Sequence, residues 1–373
     1  MADPRKLGIV FVRRGYSPSG GAEAYLKRLG QALAGHGHDA QLLATTDWPK
    51  TQWPFGPITH LRARSPIAFA DELEKLRPQL LCDVLMSFDR LWRCDVYRAG
   101  DGVHAGWLER RRKFQMPLER FLHHLNRKHR DILQLEESLL AQRGAARVVV
   151  NSHMVKREIV DLYDFPEEKI DLVRNGVPLE NFVFDPVLRE QARAELKLKP
   201  DGVVLLFAGS GWERKGLLFA IEAIALCENR QMDLLVAGRG NARSYKAKRV
   251  HFLGERADLA PIYAAADIFI LPTIYDPFSN ACLEALASGL PVITTRDNGF
   301  SEIIEHEVHG SIVDHPNDLM QLRDAIQFWS DSPRRAAARS AILKRASQFD
   351  IAKSVAQTLA ILTAMEGHAP SCP

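Results

Sequence analysis

The chain has 373 residues, enough for about two domains of ~150 residues, so two cores and a ligand cleft between them are expected. With 46% hydrophobic and 25% charged residues it is an ordinary globular chain, which excludes collagen-like, disordered and disulfide-scaffold classes. The net charge of +3 is uneven: residues 1–175 carry 28 Lys/Arg against 22 Asp/Glu, and the remainder 21 against 24, so the positive surplus is local to the first half.

Residues 7–12 read as a buried parallel strand, followed by a glycine-bearing turn at 17–21 and an amphipathic helix from Ala22 to about Leu33 that ends at Gly35. Strands at 40–44, 80–88 and 147–150 and helices at 67–76 and 154–162 continue the alternation, which predicts an α/β first half with a doubly wound sheet. After the turn-rich stretch 174–178 a second series begins. It has strands at 203–208, 234–237, 250–253, 268–272 and 292–295, and helices at 217–226, 259–265 and 280–287. The expected organisation is a first domain at 1–174 with a helical insert at 104–143, a second at 175–350, and a terminal segment 351–373. The apolar helical pattern of 351–365 reads as a last helix, capping the second domain in its plainest form. Two such sheets whose strand carboxyl ends face one another place a ligand cleft at the seam.

Residues 104–143 carry no strand pattern and read as helix, with Pro117 placed to interrupt it. Between Ala105 and Asp131 lie eight basic residues (Arg110, Arg111, Arg112, Lys113, Arg120, Arg127, Lys128, Arg130) and three acids, interleaved with Trp107, Leu108, Phe114, Met116, Leu118, Phe121, Leu122 and Leu125. A basic amphipathic helix of this kind suits an anionic membrane surface, at about 1 kcal/mol per basic residue near the lipid. A helical hairpin packed on its own domain, with a solvated basic face, explains the pattern equally well.

Four loops carry candidate chemistry. Ser19-Gly-Gly-Ala-Glu23, with Gly20 and Gly21, joins the first strand to its helix, where an anion can meet the helix N-terminus; a plain tight turn reads as well. Its spacing is not G-x-G-x-x-G, so a nicotinamide cofactor is not supported. Gly209-Ser-Gly-Trp-Glu-Arg-Lys-Gly216 places Arg214 and Lys215 before a helix, a site for a diphosphate or else a solvated pair of cations. The stretch from Ile274 to Val292 sets Asp276 and Glu284 eight residues apart, with Ser279 and Asn280 as N-cap types and Glu284 one turn inside the helix to meet ribose hydroxyls. Asn298-Gly-Phe-Ser-Glu302 adds a polar loop after the next strand.

The five cysteines (Cys82, Cys94, Cys227, Cys282, Cys372) are far apart and form no C-x-x-C pair, which argues against a zinc site or disulfide framework and fits a reducing compartment. The apolar run at 7–12 is too short for a secretory leader, and nowhere do ~18 apolar residues follow one another, so neither secretion by that route nor membrane insertion is expected.

The Gly-Gly-Ala-Glu loop, the Arg-Lys-Gly loop, the block P-x-x-x-D-P-F-S-N-x-x-L-E-A-x-A-S-G-L-P-V and the N-G-x-x-E loop resemble glycosyltransferase family 4, retaining enzymes of GT-B architecture, from Gly8 to about His309. Within the family the likeness is strongest to lipopolysaccharide core glucosyltransferases. It rests on Ser17-Pro-Ser-Gly-Gly21, on Tyr97-Arg-Ala-Gly-Asp-Gly-Val-His104, and on the basic helical segment, which in those enzymes contacts the inner membrane.

The resemblance implies a UDP-hexose on the second domain, a lipid-linked glycan acceptor on the first, and a C-terminal helix in 351–373 that crosses back onto the first domain. Arg214 and Lys215 would bind the diphosphate and Glu284 the ribose. Asp276, Phe278, Ser279 and Asn280 would line the donor, Gly20 and Gly21 would lie near its phosphates, and Asp101 and His104 would face acceptor and transferred sugar. Residue 276 is Asp where the family usually has Glu, which weakens any role as a covalent nucleophile. The chain has no D-x-D sequence, so neither metal nor cofactor is expected, and the Arg-Lys pair would stabilise the departing diphosphate instead. No nucleic-acid partner is expected. The implied location is cytoplasmic, on the inner face of the membrane, with residues 105–131 as the contact. Three alternatives stay open: another glycan or a soluble acceptor, a nucleotide-sugar-binding subunit without turnover, and a sugar epimerase of the same architecture.

Overall fold

The computed structural model describes residues 6–17, 20–116, 126–229, 231–245 and 247–365. The chain divides into two compact units, residues 1–174 with 353–373 and residues 175–352.

The first unit is built on seven parallel strands: β1 (Gly8–Arg13), β2 (Asp39–Thr45), β3 (Ile58–Leu61), β4 (Val84–Ser87), β5 (Cys94–Arg98), β6 (Ala145–Val150) and β7 (Ile170–Leu172), in the order β3-β2-β1-β4-β5-β6-β7. Ile9 lies opposite both Ala40 and Val84, so β1 is buried between two neighbours, as its unbroken apolar run requires. The strand expected at 80–88 begins only at Val84. Leu80 closes the preceding turn on Arg77 O, and Leu81 is 89% exposed, so its apolar character reflects no burial. The strand β5 is new. Its Asp95, 2% exposed, accepts the Leu85 N–H at 2.7 Å, a polar residue serving the neighbouring strand from inside the sheet.

Around this sheet lie α1 (Gly21–Gly35), α2 (Pro66–Leu76), α3 (His104–Arg112), α4 (Arg127–Leu140) and α5 (His153–Tyr163). Helix α4 packs against α2, α3 and α5 with Leu135, Glu136, Leu139 and Leu140 buried. The break expected at Pro117, and with it Leu118, Arg120, Phe121, Leu122 and Leu125, lies outside the described residues. Arg110 of α3 pairs with Glu158 of α5 at 2.7 Å, so one of the basic residues expected on an open face is committed to the unit's own packing. Among the described residues no helix is long and apolar enough to cross a membrane.

The second unit has six parallel strands: β8 (Val203–Ala208), β9 (Met232–Ala237), β10 (Val250–Gly254), β11 (Ile268–Leu271), β12 (Val292–Thr295) and β13 (Gly310–Val313), in the order β10-β9-β8-β11-β12-β13. Its helices are α6 (Pro186–Glu195), α7 (Leu217–Ala225), α8 (Ala260–Ala265), α9 (Asn280–Ala287), α10 (Leu319–Ser330) and α11 (Ser332–Ala346). The apolar runs of β8, β9 and β11 form the core together with Leu283, Leu286, Phe300 and Trp329. Asp267, before β11, gathers Arg189, Arg193 and Arg335 at 2.6, 2.5 and 3.2 Å and accepts the Val204 N–H, tying α6 and α11 to the sheet.

The last helix, α12 (Ile351–Ala364), belongs to the first unit from Lys353 onward. There Tyr25 of α1 donates to Ser354 O at 3.1 Å and shares a hydrogen bond with Thr358 Oγ1 at 2.6 Å.

Candidate active site

In each sheet the strand order reverses at one point, between β1 and β4 in the first and between β8 and β11 in the second. In doubly wound sheets ligands collect beyond the strand carboxyl ends at such points. The loops singled out in the second half, 209–216 after β8 and 272–279 after β11, flank the reversal of the second sheet.

The loop after β8 is held by backbone contacts. Lys215 N–H donates to Gly211 O and Leu217 N–H to Trp212 O, while the Arg214 carbonyl accepts from Thr273 Oγ1 at 2.9 Å and from Ile274 N–H at 2.8 Å. Gly216 N-caps α7 at φ +76°, a left-handed conformation, and a Cβ there would lie 1.9 Å from Pro272 O. The two loops are thus fastened together at Arg214 and Gly216.

That fastening sets Lys215 Nζ 2.6 Å from Asp276 Oδ2, with the two side chains 12% and 7% exposed. Burial alone would raise the Asp276 carboxyl. The charges of Lys215 and Arg214, with hydrogen bonds from Lys215 and the Phe278 N–H, outweigh it and hold the group below the usual carboxylate range.

Ser279 caps α9 by accepting the Cys282 N–H at 3.4 Å. Asn280 does not act as a cap; it is the first residue of the helix, and its Oδ1 accepts from Asn175 Nδ2 at 2.7 Å. Phe278 is buried against Phe300. Asn298, fully buried, accepts from the Ser279 and Phe300 N–H groups and donates to Thr294 Oγ1, locking the loop after β12 to the start of α9. Glu284 accepts the Tyr263 hydroxyl at 2.8 Å, and burial pushes its carboxyl up against the opposing pull of that hydrogen bond and of Lys215.

In the first unit Gly20 N-caps α1 and Gly21 begins it. Glu23, in the first turn and 5% exposed, pairs with Arg13 at 3.1 Å. Burial opposes the Arg13 charge, but Asp89, Asp101 and Glu23 together push its pKa upward. Asp101 is exposed at the tip of a turn closed by Gly102 N–H on Ala99 O.

His104 opens α3. Its N–H and that of Ala105 donate to the two oxygens of Glu136 at 2.7 and 3.0 Å. Glu136 is 0% exposed and also receives Arg90 Nε and the Tyr163 hydroxyl, each at 2.7 Å. The His104 ring meets His129 of α4, Nε2 to Nδ1 at 3.0 Å. Burial first, then the charge of Arg90, lowers the imidazole pKa to about 4, so it is neutral at neutral pH.

The structure therefore brings Arg214, Lys215, Asp276, Phe278, Ser279, Asn280 and Glu284 around one reversal point. Gly20, Gly21, Asp101 and His104 are placed on the first unit. Sequence reasoning missed Tyr263, Arg90, His129, Glu136 and Tyr163, all of which act on the selected residues from other elements. Among the described residues no three His, Cys, Asp or Glu side chains converge as a metal ion would need.

Two family models match the chain, Glycosyltransferase Family 4 over residues 19–181 and Glycosyl transferases group 1 over residues 202–331. The lipopolysaccharide glucosyltransferase WaaG of Escherichia coli K12 is 26% identical over 354 residues, covering 88% of this chain and 91% of its own. A D-inositol 3-phosphate glycosyltransferase of Paenarthrobacter aurescens is 25% identical over 372 residues, covering 87% of this chain and 90% of its own. The crystal structure of WaaG, a glycosyltransferase involved in lipopolysaccharide biosynthesis, matches with a TM-score of 0.82 at 22% identity, over 95% of this chain and 99% of that one. The two parallel sheets are those of the GT-B architecture.

Proposed function

Because the chain belongs to glycosyltransferase family 4 and resembles WaaG within it, we propose that it is a retaining hexosyltransferase that moves glucose from UDP-glucose to a heptose of the lipopolysaccharide core. The observation that carries the reading is the convergence of Arg214, Lys215 and Asp276 at the reversal point of the second sheet. As the bond from the anomeric carbon to phosphate breaks, the sugar becomes oxocarbenium-like and the diphosphate gains charge, which fixed cations at that point stabilise. The acceptor oxygen bonds the anomeric carbon on the face the diphosphate leaves, and the departing phosphate oxygen takes the acceptor's proton. Asp276 orients Lys215 rather than attacking the sugar. Gly20 and Gly21 approach the phosphates, Glu284 binds the ribose, Phe278, Ser279 and Asn280 line the donor, and Asp101 and His104 face the acceptor. The reaction needs no resident metal, since Arg214 and Lys215 supply the charge.

The acceptor is lipid-linked, and the protein works at the cytoplasmic face of an anionic membrane through α3. Arg112 and Lys113, exposed at its end, and Arg111, stacked 5.7 Å from Trp107, provide the basic contact. A second reading, a soluble phosphorylated polyol as acceptor, is favoured by the comparable likeness to the inositol phosphate enzyme.

One experiment separates these. The protein is incubated with UDP-glucose and either a heptose-bearing glycolipid in anionic vesicles or D-inositol 3-phosphate, and UDP release is followed. The first reading expects release with the vesicles alone, and release with the inositol phosphate alone favours the second. Replacing Lys215→Ala should lower kcat by about 100-fold or more, the scale of losing one transition-state donor. An unchanged kcat in a folded variant overturns the role of Lys215, and nucleotide binding without UDP release on either acceptor would mark a binding subunit.

A further inference from the structure

Helix α3 begins at His104, and the carboxylate that fixes its first residue, Glu136, is buried. The Glu136 carboxylate takes the two leading N–H groups of the helix, and Arg90, while pairing with Glu136, also donates to Gly102 O at 2.6 Å. The backbone from Gly102 to Ala105, just after the turn that carries Asp101, is thereby held by both partners of that ion pair. Backbone restraint alone leaves the imidazole free to rotate about two bonds. The polar contact of the ring itself is with His129, two turns before Glu136 on α4. The two rings lie 5.1 Å apart between centroids at 31°, with Nε2 of His104 facing Nδ1 of His129 at 3.0 Å.

A hydrogen bond between two ring nitrogens needs one N–H and one bare nitrogen. The two rings therefore share a single proton on that axis, and the tautomer of each dictates that of the other. Whichever ring supplies it, Nε2 of His104 is used up inside the protein. Resting on the reading that His104 faces the transferred sugar, we infer that His129 is a positioning residue: it holds His104 by Nε2 and leaves Nδ1 as the ring nitrogen that meets a sugar hydroxyl. The neutrality of His104 at neutral pH agrees, because Nδ1 is then an acceptor when Nε2–H donates to His129 and a donor when His129 donates to Nε2, and the ring partner decides between them. Besides His129, the charged groups acting on the ring are Arg90, Glu136 and Lys128.

The test compares His129→Leu, which removes the ring partner, with His129→Asn, whose carboxamide puts a polar atom where Nδ1 sits. With the ring released, kcat should fall about tenfold to a hundredfold in the leucine variant, the scale of a small misplacement of a reacting group. Donor KM should stay unchanged and the asparagine variant should recover most of the rate. Adding His129→Leu to His104→Ala should cost nothing further, since the two act as a unit. Nitrogen NMR of ligand-free protein should show His104 in a single tautomer in the wild type and in a mixture in His129→Leu. A leucine variant with normal kcat, or with His104 still in its single tautomer, overturns the inference. Thermal melting of each variant separates loss of folding from loss of rate. If the wild type turns over no UDP-sugar, the functional reading falls, while the NMR comparison still decides whether His129 orients His104.

Discussion

Lys215 and Asp276 carry opposite charges into a place where water reaches little of either, and the 2.6 Å contact between them must offset the desolvation of both. Removing one member is harsher than removing both, because the remaining charge stays buried without its counterpart. Asp276→Asn keeps the shape and deletes the charge, so it should destabilise the protein by about 3 kcal/mol at neutral pH, as breaking a buried pair does. The sign of its pH dependence follows from the depressed carboxyl. A group whose folded pKa lies below its unfolded value, about 3.9 for Asp, contributes its full stability above that value and loses it as pH falls through the folded one. The gap between wild type and Asp276→Asn, measured by urea unfolding, should therefore be constant above about pH 5 and close as the solution is acidified below about pH 4. A gap that widens on acidification would mean that Lys215 does not hold Asp276 ionised. The shorter side chain at this position, where the family usually has Glu, fits the same role: it reaches the ammonium group and stops there.

At the scale of elements the site depends on two loops being fastened to each other, and Gly216 is where the fastening is tightest. In Gly216→Ala the left-handed backbone costs about 1–2 kcal/mol, and the new Cβ must also displace the Pro272 carbonyl. That carbonyl precedes Thr273, whose hydroxyl holds the Arg214 backbone, so displacement moves the cation-bearing loop. The expected outcome is a lower melting temperature and a reduced kcat together. A variant that loses stability but keeps full kcat would show that Arg214 and Lys215 do not need this anchor.

The same loops explain how much could be read in advance. Strands β8 and β11 are unbroken apolar runs of six and four residues, β9 is apolar from Leu234 to Ala237, and the chemistry-bearing loops follow β8 and β11 directly, so strands and loops are legible in the sequence. Strand β5 is not, because Asp95 and Arg98 interrupt its pattern and only the neighbouring strand's need for an acceptor explains Asp95. Nothing local in the sequence marks Glu136, since its partners lie 27 to 46 residues away along the chain. His129 was hidden in the same way, 25 residues from His104. Periodicity reports which face of an element is buried, not which distant backbone groups await a carboxylate there.

Across the whole molecule the chain passes from the first unit to the second at residues 174–175 and back near 352–353. Within the second unit the two connections run side by side, Val177 N–H donating to Phe349 O and Ile351 N–H to Val177 O. The second unit, residues 175–352, thus closes on itself and contains Arg214, Lys215, Phe278, Ser279, Asn280 and Glu284, while Gly20 and Gly21 belong to the first. A ligand that binds only the native state stabilises it by about 2.7 kcal/mol at a hundred times its Kd. For a unit of this size each kcal/mol moves the melting temperature by about 2–4 °C. If the unit melts on its own, saturating UDP should raise one calorimetric transition by about 5–10 °C and leave the other in place. If the chain melts as one body, the larger entropy of unfolding reduces the shift of its single transition to about half. In both cases Lys215→Ala should lose most of the shift, because the diphosphate then lacks its buried cation. A panel of UDP-hexoses in the same measurement ranks the donors directly, and glucose should give the largest increment over UDP alone. No shift with UDP at millimolar concentration would remove the nucleotide from the second unit and overturn the donor assignment, whatever the fold.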